Sequence, residues 1–222
     1  MIKSSPRRRL VRWAPLSGIV FVALWIGAFA IGAGGSESPS DAEIVAYYAD
    51  DANRGVDIVF FDLIVAASLF FLGFLAVARS RLARAEGRAG PWTTLTSGSG
   101  IAAATLWLVA GVFWMAVAYT ANETKEFRVD PDTERLVSEM GYLFFVTGIY
   151  ATIPVVLGTS LVALRTGVLP RWLGWLGLPV AVSLLGALGV FPFFFFLGWV
   201  LLVSVVLIVR PQSGAEAAAA PS

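Results

Sequence analysis

Cysteine and histidine are both absent from this chain of 222 residues. Without cysteine there is no disulfide framework, no thiolate nucleophile and no ligand set for an iron–sulfur cluster. Without histidine the chain lacks the commonest ligand of zinc, copper and haem, and the usual proton carrier at neutral pH. The chain is therefore unlike most classes of membrane enzyme, and we expect no cofactor, no metal site and no catalytic residue.

Charged residues are also scarce. They make up 14% of the chain, whereas a soluble domain carries about 25%. Hydrophobic residues make up 58%, and the mean hydropathy is +0.79. So few charges cannot cover a water-facing surface of this size. The composition predicts an integral membrane protein whose first partner is the lipid bilayer, and we expect no nucleic-acid partner.

Long apolar runs divide the chain. A helix that crosses the hydrocarbon layer of about 30 Å needs about 20 apolar residues. Six runs qualify: residues 13–31, 58–77, 101–119, 141–164, and two within 172–209. The last run is too long for one span, and "GVFPF" (residues 189–193) at its centre carries the glycine and proline of a turn. We therefore predict an all-α bundle of six transmembrane helices.

Basic residues alternate between the two sides of this predicted bundle. Twelve of the 16 Lys and Arg residues fall in the N-terminal segment, after the second and fourth spans, and after the sixth, together with two acids. The other loops hold four basic residues and twelve acids. Because positively charged loops stay in the cytoplasm, both termini are predicted to be cytoplasmic. Only two of the basic residues are lysines, and together with the abundant alanine and glycine this suggests a GC-rich bacterial genome.

These patterns predict three regions. Residues 1–12 form a basic cytoplasmic N-terminus, residues 13–210 the six-helix domain, and residues 211–222 a disordered cytoplasmic tail of low complexity. One alternative concerns the start: "MIKSSPRRRLVRW", an apolar run and "AFA" (residues 28–30) also fit a secretory signal peptide. Cleavage there would leave five helices.

The loop between the first two spans is expected to contain a short helix. Ser40 and Glu43 have the spacing of a capping box, and Ile44, Tyr47 and Tyr48 follow at helical spacing. Such a helix would lie on the outer face with its tyrosines at the level of the lipid headgroups. In the next outer loop, Asp130 and the proline after it predict a helix that runs on into the fourth span.

Asp62 is the one acid inside the second predicted span. At 100° per residue, its face of the helix also carries mainly small residues: Ala66, Leu69, Gly73 and Ala76. Small residues are typical of faces where membrane helices approach one another. The opposite face carries Phe60, Leu63, Phe71 and Phe74, which would suit lipid. The pattern therefore predicts that Asp62 points into the bundle.

An inward acid needs polar partners at the same depth. Tyr142 and Thr147 on the fourth span and Tyr119 at the end of the third are the candidates. We therefore predict a buried polar site of Asp62, Tyr142, Thr147 and Tyr119. It would serve either to hydrogen-bond helices together or to bind a solute or proton. The aromatic run "FPFFFF" (residues 191–196) is expected to contact lipid, with a groove for a hydrophobic ligand as the alternative.

The residues within the spans also bear on the class of function. The serines inside the spans have no histidine or lysine beside them to activate a nucleophile. A non-catalytic role is therefore predicted: an accessory subunit, a membrane sensor or an envelope factor, which binds a second copy of the chain or a partner membrane protein. The alternative is a transporter of a small solute, or a proton-coupled one, that uses Asp62.

Three segments carry a resemblance. They read "AEIVAYYADDANRG", "FDLIVAASLFFLGFLA" and "TGVLPRWLGWLGLPVAV". With these segments the chain resembles a family of small multi-pass bacterial proteins, common in actinobacteria and catalogued only as a domain of unknown function. The resemblance covers residues 16–209. It implies a polytopic helical fold in the plasma membrane, and it brings no activity and no catalytic residue with it.

Overall fold

The computed structural model describes residues 16–32, 39–87, 90–124 and 127–209. Every regular element in those ranges is a helix. The helices are α1 (Leu16–Gly32), α2 (Asp41–Ala49), α3 (Asp51–Ala85), α4 (Pro91–Glu123), α5 (Pro131–Thr166), α6 (Arg171–Ser183) and α7 (Phe191–Val209), with a 3₁₀ turn (Leu184–Gly186) after α6. The predicted N-terminal region 1–12 and the predicted tail 211–222 lie outside the described residues.

Four of these helices, α3, α4, α5 and α7, are long and apolar enough to cross a membrane. Two further apolar helices are shorter: α1, and α6 with its 3₁₀ turn. At about 1.5 Å per residue, the 35 residues of α3 extend over about 52 Å, more than the hydrocarbon layer of about 30 Å. Both ends of α3 therefore extend beyond its apolar stretch, residues 58–77.

The six apolar helices form a closed ring. Each packs against the next along the chain, in the order α1, α3, α4, α5, α6, α7, and α7 returns to pack against α1. Helix α2 lies outside this ring and contacts α3, α4 and α5. We call the end of the bundle that carries α2 the acidic end, and the opposite end the arginine-rich end.

Large aromatic side chains fill the centre of the ring. This aromatic core consists of Phe21, Trp25, Phe71, Trp107, Phe145, Phe193 and Phe196. None of the seven is more than 2% exposed, and their rings contact one another with centroids 4.9 to 6.3 Å apart. They come from α1, α3, α4, α5 and α7, so one cluster joins five of the six ring helices.

Small residues on neighbouring helices make room for these and other large groups. A Cβ at Gly18 of α1 would overlap Ser204 Oγ of α7 and lie 2.8 Å from a ring carbon of Phe74. A Cβ at Gly148 of α5 would lie 2.5 Å from Trp107 Nε1. Both glycines therefore permit the close approach of helices that is typical of membrane bundles.

The helix boundaries follow local sequence signals. Asp130 accepts a hydrogen bond from the backbone N–H of Thr133 (3.0 Å) and caps α5, which then runs unbroken to Thr166 as predicted. Gly167 ends α5 with φ = 70°, a conformation that glycine adopts without strain. The capping box of Ser40 and Glu43 is also present, so the predicted short helix α2 is confirmed.

The last apolar run is broken near the predicted turn. Helix α7 begins at Phe191, within residues 189–193, but α6 already ends at Ser183. Tyr142 of α5 donates a hydrogen bond to the Leu188 carbonyl (2.5 Å), and Tyr150 donates one to the Leu185 carbonyl (3.3 Å). Carbonyls at a helix end have no partner within the helix, and these two hydroxyls satisfy them.

The predicted orientation of α3 is wrong. Asp62 is exposed rather than turned into the bundle, whereas Phe71 and Phe74, predicted to face lipid, are 0% and 1% exposed. The reason is that α1 offers Phe21 and Gly18 as a close-fitting surface for these rings. Asp62 lies nine residues, or two and a half turns, from Phe71, so the two side chains point to opposite sides of α3. Burying the rings therefore exposes the acid.

The prediction for the aromatic run of α7 is half wrong. Phe193 and Phe196 are fully buried in the aromatic core, and only Phe191, Phe194 and Phe195 are exposed. The run is helical, so its rings point in all directions, and those on the inner face fill the ring centre.

Candidate functional site

A cavity of about 660 Å³ lies at the acidic end, beneath α2. Ile31 and Gly32 at the end of α1 form one side, and the first two turns of α3 and of α5 form others. Phe60 and Trp114 lie toward the interior of the bundle. We call this space the acidic-end cavity. Its volume lies within the range of small-molecule sites, about 300–1,000 Å³.

A capping box fixes the start of helix α2. The Glu43 carboxylate accepts a hydrogen bond from the Ser40 N–H (2.7 Å), and the Glu43 N–H donates to Ser40 Oγ (3.4 Å). The hydrogen bonds from Ser40 hold the pKa of Glu43 below its usual value. A nine-residue helix is too short to be stable alone in water, so its contacts with the bundle must supply the rest of its stability.

Those contacts are polar at the edges of α2 and apolar at its centre. The Arg135 guanidinium donates to Asp41 (2.5 Å) and to the Pro39 carbonyl (3.2 Å). Arg54 donates to the Tyr48 carbonyl (2.5 Å). Beneath these, Ile44 and Tyr48 pack against Val117 and Ala118 of α4. The two tyrosines of α2 turn toward the bundle, and their predicted place at the level of the lipid headgroups stays a prediction.

Asp57 lies in the second turn of α3, just before the apolar stretch of that helix. Its Oδ1 accepts a hydrogen bond from the Tyr47 hydroxyl (2.9 Å). Its Oδ2 is fully buried and has no hydrogen-bond donor among the described residues. Burial raises the pKa of Asp57 to about 6; the charge of Glu134 acts in the same direction and the Tyr47 hydrogen bond in the opposite one.

Glu134 is the second carboxylate of the cavity, on the first turn of α5. Its Oε1 accepts hydrogen bonds from the Ser138 hydroxyl (2.7 Å) and from the Tyr48 hydroxyl (3.5 Å). Trp114 Nε1 donates to the Ser138 carbonyl (3.2 Å), which fixes the indole ring against the cavity. Burial, followed by the charges of the two carboxylates, raises the pKa of Tyr48, so its hydroxyl stays protonated.

The cavity does not continue through the bundle. Trp114 packs against Phe60, with ring centroids 5.5 Å apart, and against Phe145 of the aromatic core, 5.8 Å apart. At the arginine-rich end, a cavity beside Arg81 and Thr159 has a volume of about 10 Å³, room for one water molecule. The aromatic core lies between these two spaces and closes the floor of the acidic-end cavity.

The four residues predicted as a buried polar site do not come together. Asp62, Tyr119 and Thr147 are exposed, and Tyr142 is half-buried. Thr147 donates to the Leu143 carbonyl of its own helix (2.7 Å), and Tyr142 donates to the turn after α6. None of the four lines the acidic-end cavity.

The residues that do line it went unrecognised as a site in the sequence. Asp57 stood among the loop acids and Glu134 in a predicted helix start, where solvated carboxylates are ordinary. The available signal was the stripe Ile44, Tyr47 and Tyr48: a capped helix with hydroxyl groups on its apolar face needs buried polar partners beneath it. The acid-rich starts of α3 and α5 were the nearest candidates for these polar partners.

A metal is not the evident occupant of the cavity. Within residues 16–32, 39–87, 90–124 and 127–209, no group of three or more acidic side chains is placed to hold a metal ion.

Comparison with protein-family models, with curated proteins and with solved structures finds no significant match to this chain. The resemblance to a bacterial family of unknown function therefore stays a prediction, and the chemistry of the cavity is the only guide to function.

Proposed function

We propose that this chain is a multi-pass protein of a bacterial plasma membrane that binds a small solute in the acidic-end cavity and catalyses no reaction. It would act as a membrane sensor or accessory subunit, through a partner membrane protein or a second copy of itself. The observation that carries this proposal is the cavity beneath α2, which is lined by Asp57, a residue whose Oδ2 is buried and has no hydrogen-bond donor among the described residues.

Six spans with both termini in the cytoplasm complete this proposal. The 17 residues of α1 cover about 26 Å, close to the thickness of the hydrocarbon layer, and α1 fills a place in the ring between α3 and α7. The connections of the ring alternate between its ends. Arginines collect at one end and acids at the other, and the positive-inside rule then puts the acidic end outside the cell.

A binding role is supported by what surrounds the cavity. The chain has no cysteine or histidine to act as a nucleophile or base. A transport path would have to pass the aromatic core, whose rings are packed against one another. The transporter hypothesis uses an inward Asp62, and the exposed position of that side chain takes away this part of its support.

Thiol labelling tests this proposal, because the natural chain has no cysteine. Ser138→Cys places a thiol in the wall of the cavity, Ser80→Cys one on the exposed surface at the arginine-rich end, and Ser204→Cys one in the fully buried interior. Intact cells are treated with a membrane-impermeant maleimide, before and after permeabilisation.

We expect Ser138→Cys to react in intact cells, Ser80→Cys only after permeabilisation, and Ser204→Cys only after denaturation. Reaction of Ser80→Cys in intact cells would mean that the acidic end faces the cytoplasm, and the proposed orientation would be wrong. If Ser138→Cys reacts only after denaturation, like Ser204→Cys, the cavity is closed to solutes and the binding role is wrong.

A further inference from the structure

The acidic-end cavity is negatively charged. Glu43, Asp57 and Glu134 line it, and none of its lining residues within the described part of the chain is a lysine or arginine. Arg54 and Arg135 follow lining residues directly in the sequence, and their guanidinium groups are engaged elsewhere: Arg135 with Asp41 and Asp132, and Arg54 with Asn122 and Asp51. A low-dielectric space lined by one sign of charge concentrates ions of the opposite sign. The charge of the cavity therefore favours a cation.

The cavity also presents acceptors that have capacity left. Asp57 lines the cavity, and its Oδ2 is buried with no donor among the described residues. A buried acceptor without a partner is unfavourable, so this carboxylate gains from a donor placed in the cavity. Glu134 receives both of its hydrogen bonds on Oε1. A cation that carries N–H groups can donate to such oxygens, and hydrogen bonds between ionised groups are the strong ones.

The walls indicate what kind of cation fits. The rings of Tyr47, Tyr48, Phe60 and Trp114 line the cavity together with the side chains of Ile31, Ile44 and Val56. Aromatic faces attract ammonium groups through their quadrupoles, and aliphatic walls favour a hydrocarbon body. A bare metal ion would use neither the rings nor a volume of about 660 Å³. The described residues also offer it no set of three acidic ligands.

We propose that the acidic-end cavity binds a small organic ammonium ion, a protonated amine on an apolar body. Its nitrogen lies between Asp57 and Glu134, and its hydrocarbon part lies against Trp114 and Phe60. This inference rests on the proposed binding role of the cavity and names the class of its ligand. Tyr47 and Tyr48 order the carboxylates by hydrogen bonding, so their hydroxyls position the acceptors.

Three compounds of matched shape test the ligand class. The full chain is purified in nanodiscs, and equilibrium dialysis measures the binding of 2-phenylethylamine (cation), 2-phenylethanol (neutral) and phenylacetate (anion) at pH 7.5. We expect saturable binding of the amine, at least tenfold tighter than that of the alcohol, and no binding of the anion. Equal binding of amine and alcohol, or no saturable binding of the amine, would overturn the ligand class.

Variants locate the site. Asp57→Asn and Glu134→Gln are each expected to weaken amine binding at least tenfold, whereas Glu139→Gln, five residues along α5 and exposed, is expected to leave it unchanged. Size-exclusion profiles and melting temperatures show whether each variant is folded. If Asp57→Asn does not fold, Glu134→Gln alone tests the site. Equal effects of Glu134→Gln and Glu139→Gln would show surface-charge attraction and overturn the proposal.

The two proposals fail in different ways. If Ser138→Cys is labelled in intact cells but the amine binds no better than the alcohol, the cavity is an open site and only its ligand class is wrong. If Ser138→Cys is closed to the maleimide and none of the three compounds binds, the binding role itself is wrong, and the ligand class fails with it.

Discussion

Trp107 is the residue on which the aromatic core most depends. It is fully buried, and five other rings surround it: Phe21, Trp25, Phe71, Phe193 and Phe196, with centroids 5.2 to 6.3 Å away. Replacing a buried Phe or Trp by Ala costs about 3–5 kcal/mol, because the surrounding structure closes the void only in part. In a membrane this packing term is the larger part of helix association, since lipid is as apolar as the core.

One feature of Trp107 opposes this cost. Its Nε1 is buried and has no hydrogen-bond acceptor among the described residues, and an unsatisfied buried donor costs about 1–3 kcal/mol. If removing the indole relieves the lower end of that penalty, about 1 kcal/mol, Trp107→Ala is expected to destabilise the protein by about 2–4 kcal/mol. For a chain of this length, about 2–4 °C of melting temperature corresponds to 1 kcal/mol. The expected fall is therefore roughly 4–16 °C.

Thermal unfolding in detergent, followed by fluorescence-detected size exclusion, measures this fall. Trp175→Ala is the matched control, because Trp175 is 64% exposed, and its melting temperature is expected to change by no more than about 2 °C. Trp107→Phe keeps a ring and removes the unpaired N–H, so its stability should stay within about 1 kcal/mol of the natural chain. If Trp107→Phe is as damaging as Trp107→Ala, the indole N–H has a partner and this reasoning is wrong.

Four further predictions concern a helix contact, α2 and the cavity. Gly148→Ala places a Cβ 2.5 Å from Trp107 Nε1 and should cost about 1–3 kcal/mol by overpacking. In the control Gly98→Ala the new Cβ meets open space, so the melting temperature should stay unchanged or rise. Equal changes of melting temperature in the two variants would contradict the contact. Arg135→Gln removes exposed ion pairs with Asp41 and Asp132, and it should speed hydrogen exchange of the α2 amides about 2- to 5-fold, with unchanged exchange in α7. Amine binding should weaken about tenfold between pH 7.5 and pH 5 as Asp57, with its pKa of about 6, takes up a proton; a flat profile would contradict a role for its carboxylate. The ligand-free protein should gain stability over the same fall in pH, because the folded state binds that proton above the ordinary pKa of an aspartate. The titratable groups that face this carboxyl are Glu43, Tyr47, Tyr48 and Glu134.

Helix starts and ends could be predicted from the sequence because they depend on local backbone chemistry. The orphan N–H groups of a helix start need acceptors, and Ser40 and Asp130 supply them within three residues along the chain. The turn near Phe191 needed only glycine and proline. Such signals involve contacts close in sequence, so no knowledge of the neighbouring helices was required.

The rotation of α3 could not be predicted in the same way. In water, the apolar face of a helix is the buried face, but in lipid both faces are apolar and only packing distinguishes them. Phe71 and Phe74 are buried because Gly18 and Phe21 on α1 fit them. That fit belongs to two segments about 50 residues apart, and the sequence of α3 alone does not contain it.

The cavity was beyond prediction for a related reason, although its parts were visible. It forms where α2 lies across the starts of α3 and α5, and the acids there are solvated unless another element covers them. Once Tyr47 and Tyr48 turn inward, Asp57 and Glu134 change from surface charges into acceptors in a low-dielectric space. At the solvated ends of a membrane bundle, polar side chains still distinguish the exposed face of a helix from the buried face. Among the apolar spans they do not. A chain whose spans carry few polar groups therefore has its chemistry at the helix ends, and a short capped helix across them is the feature that turns such an end into a site.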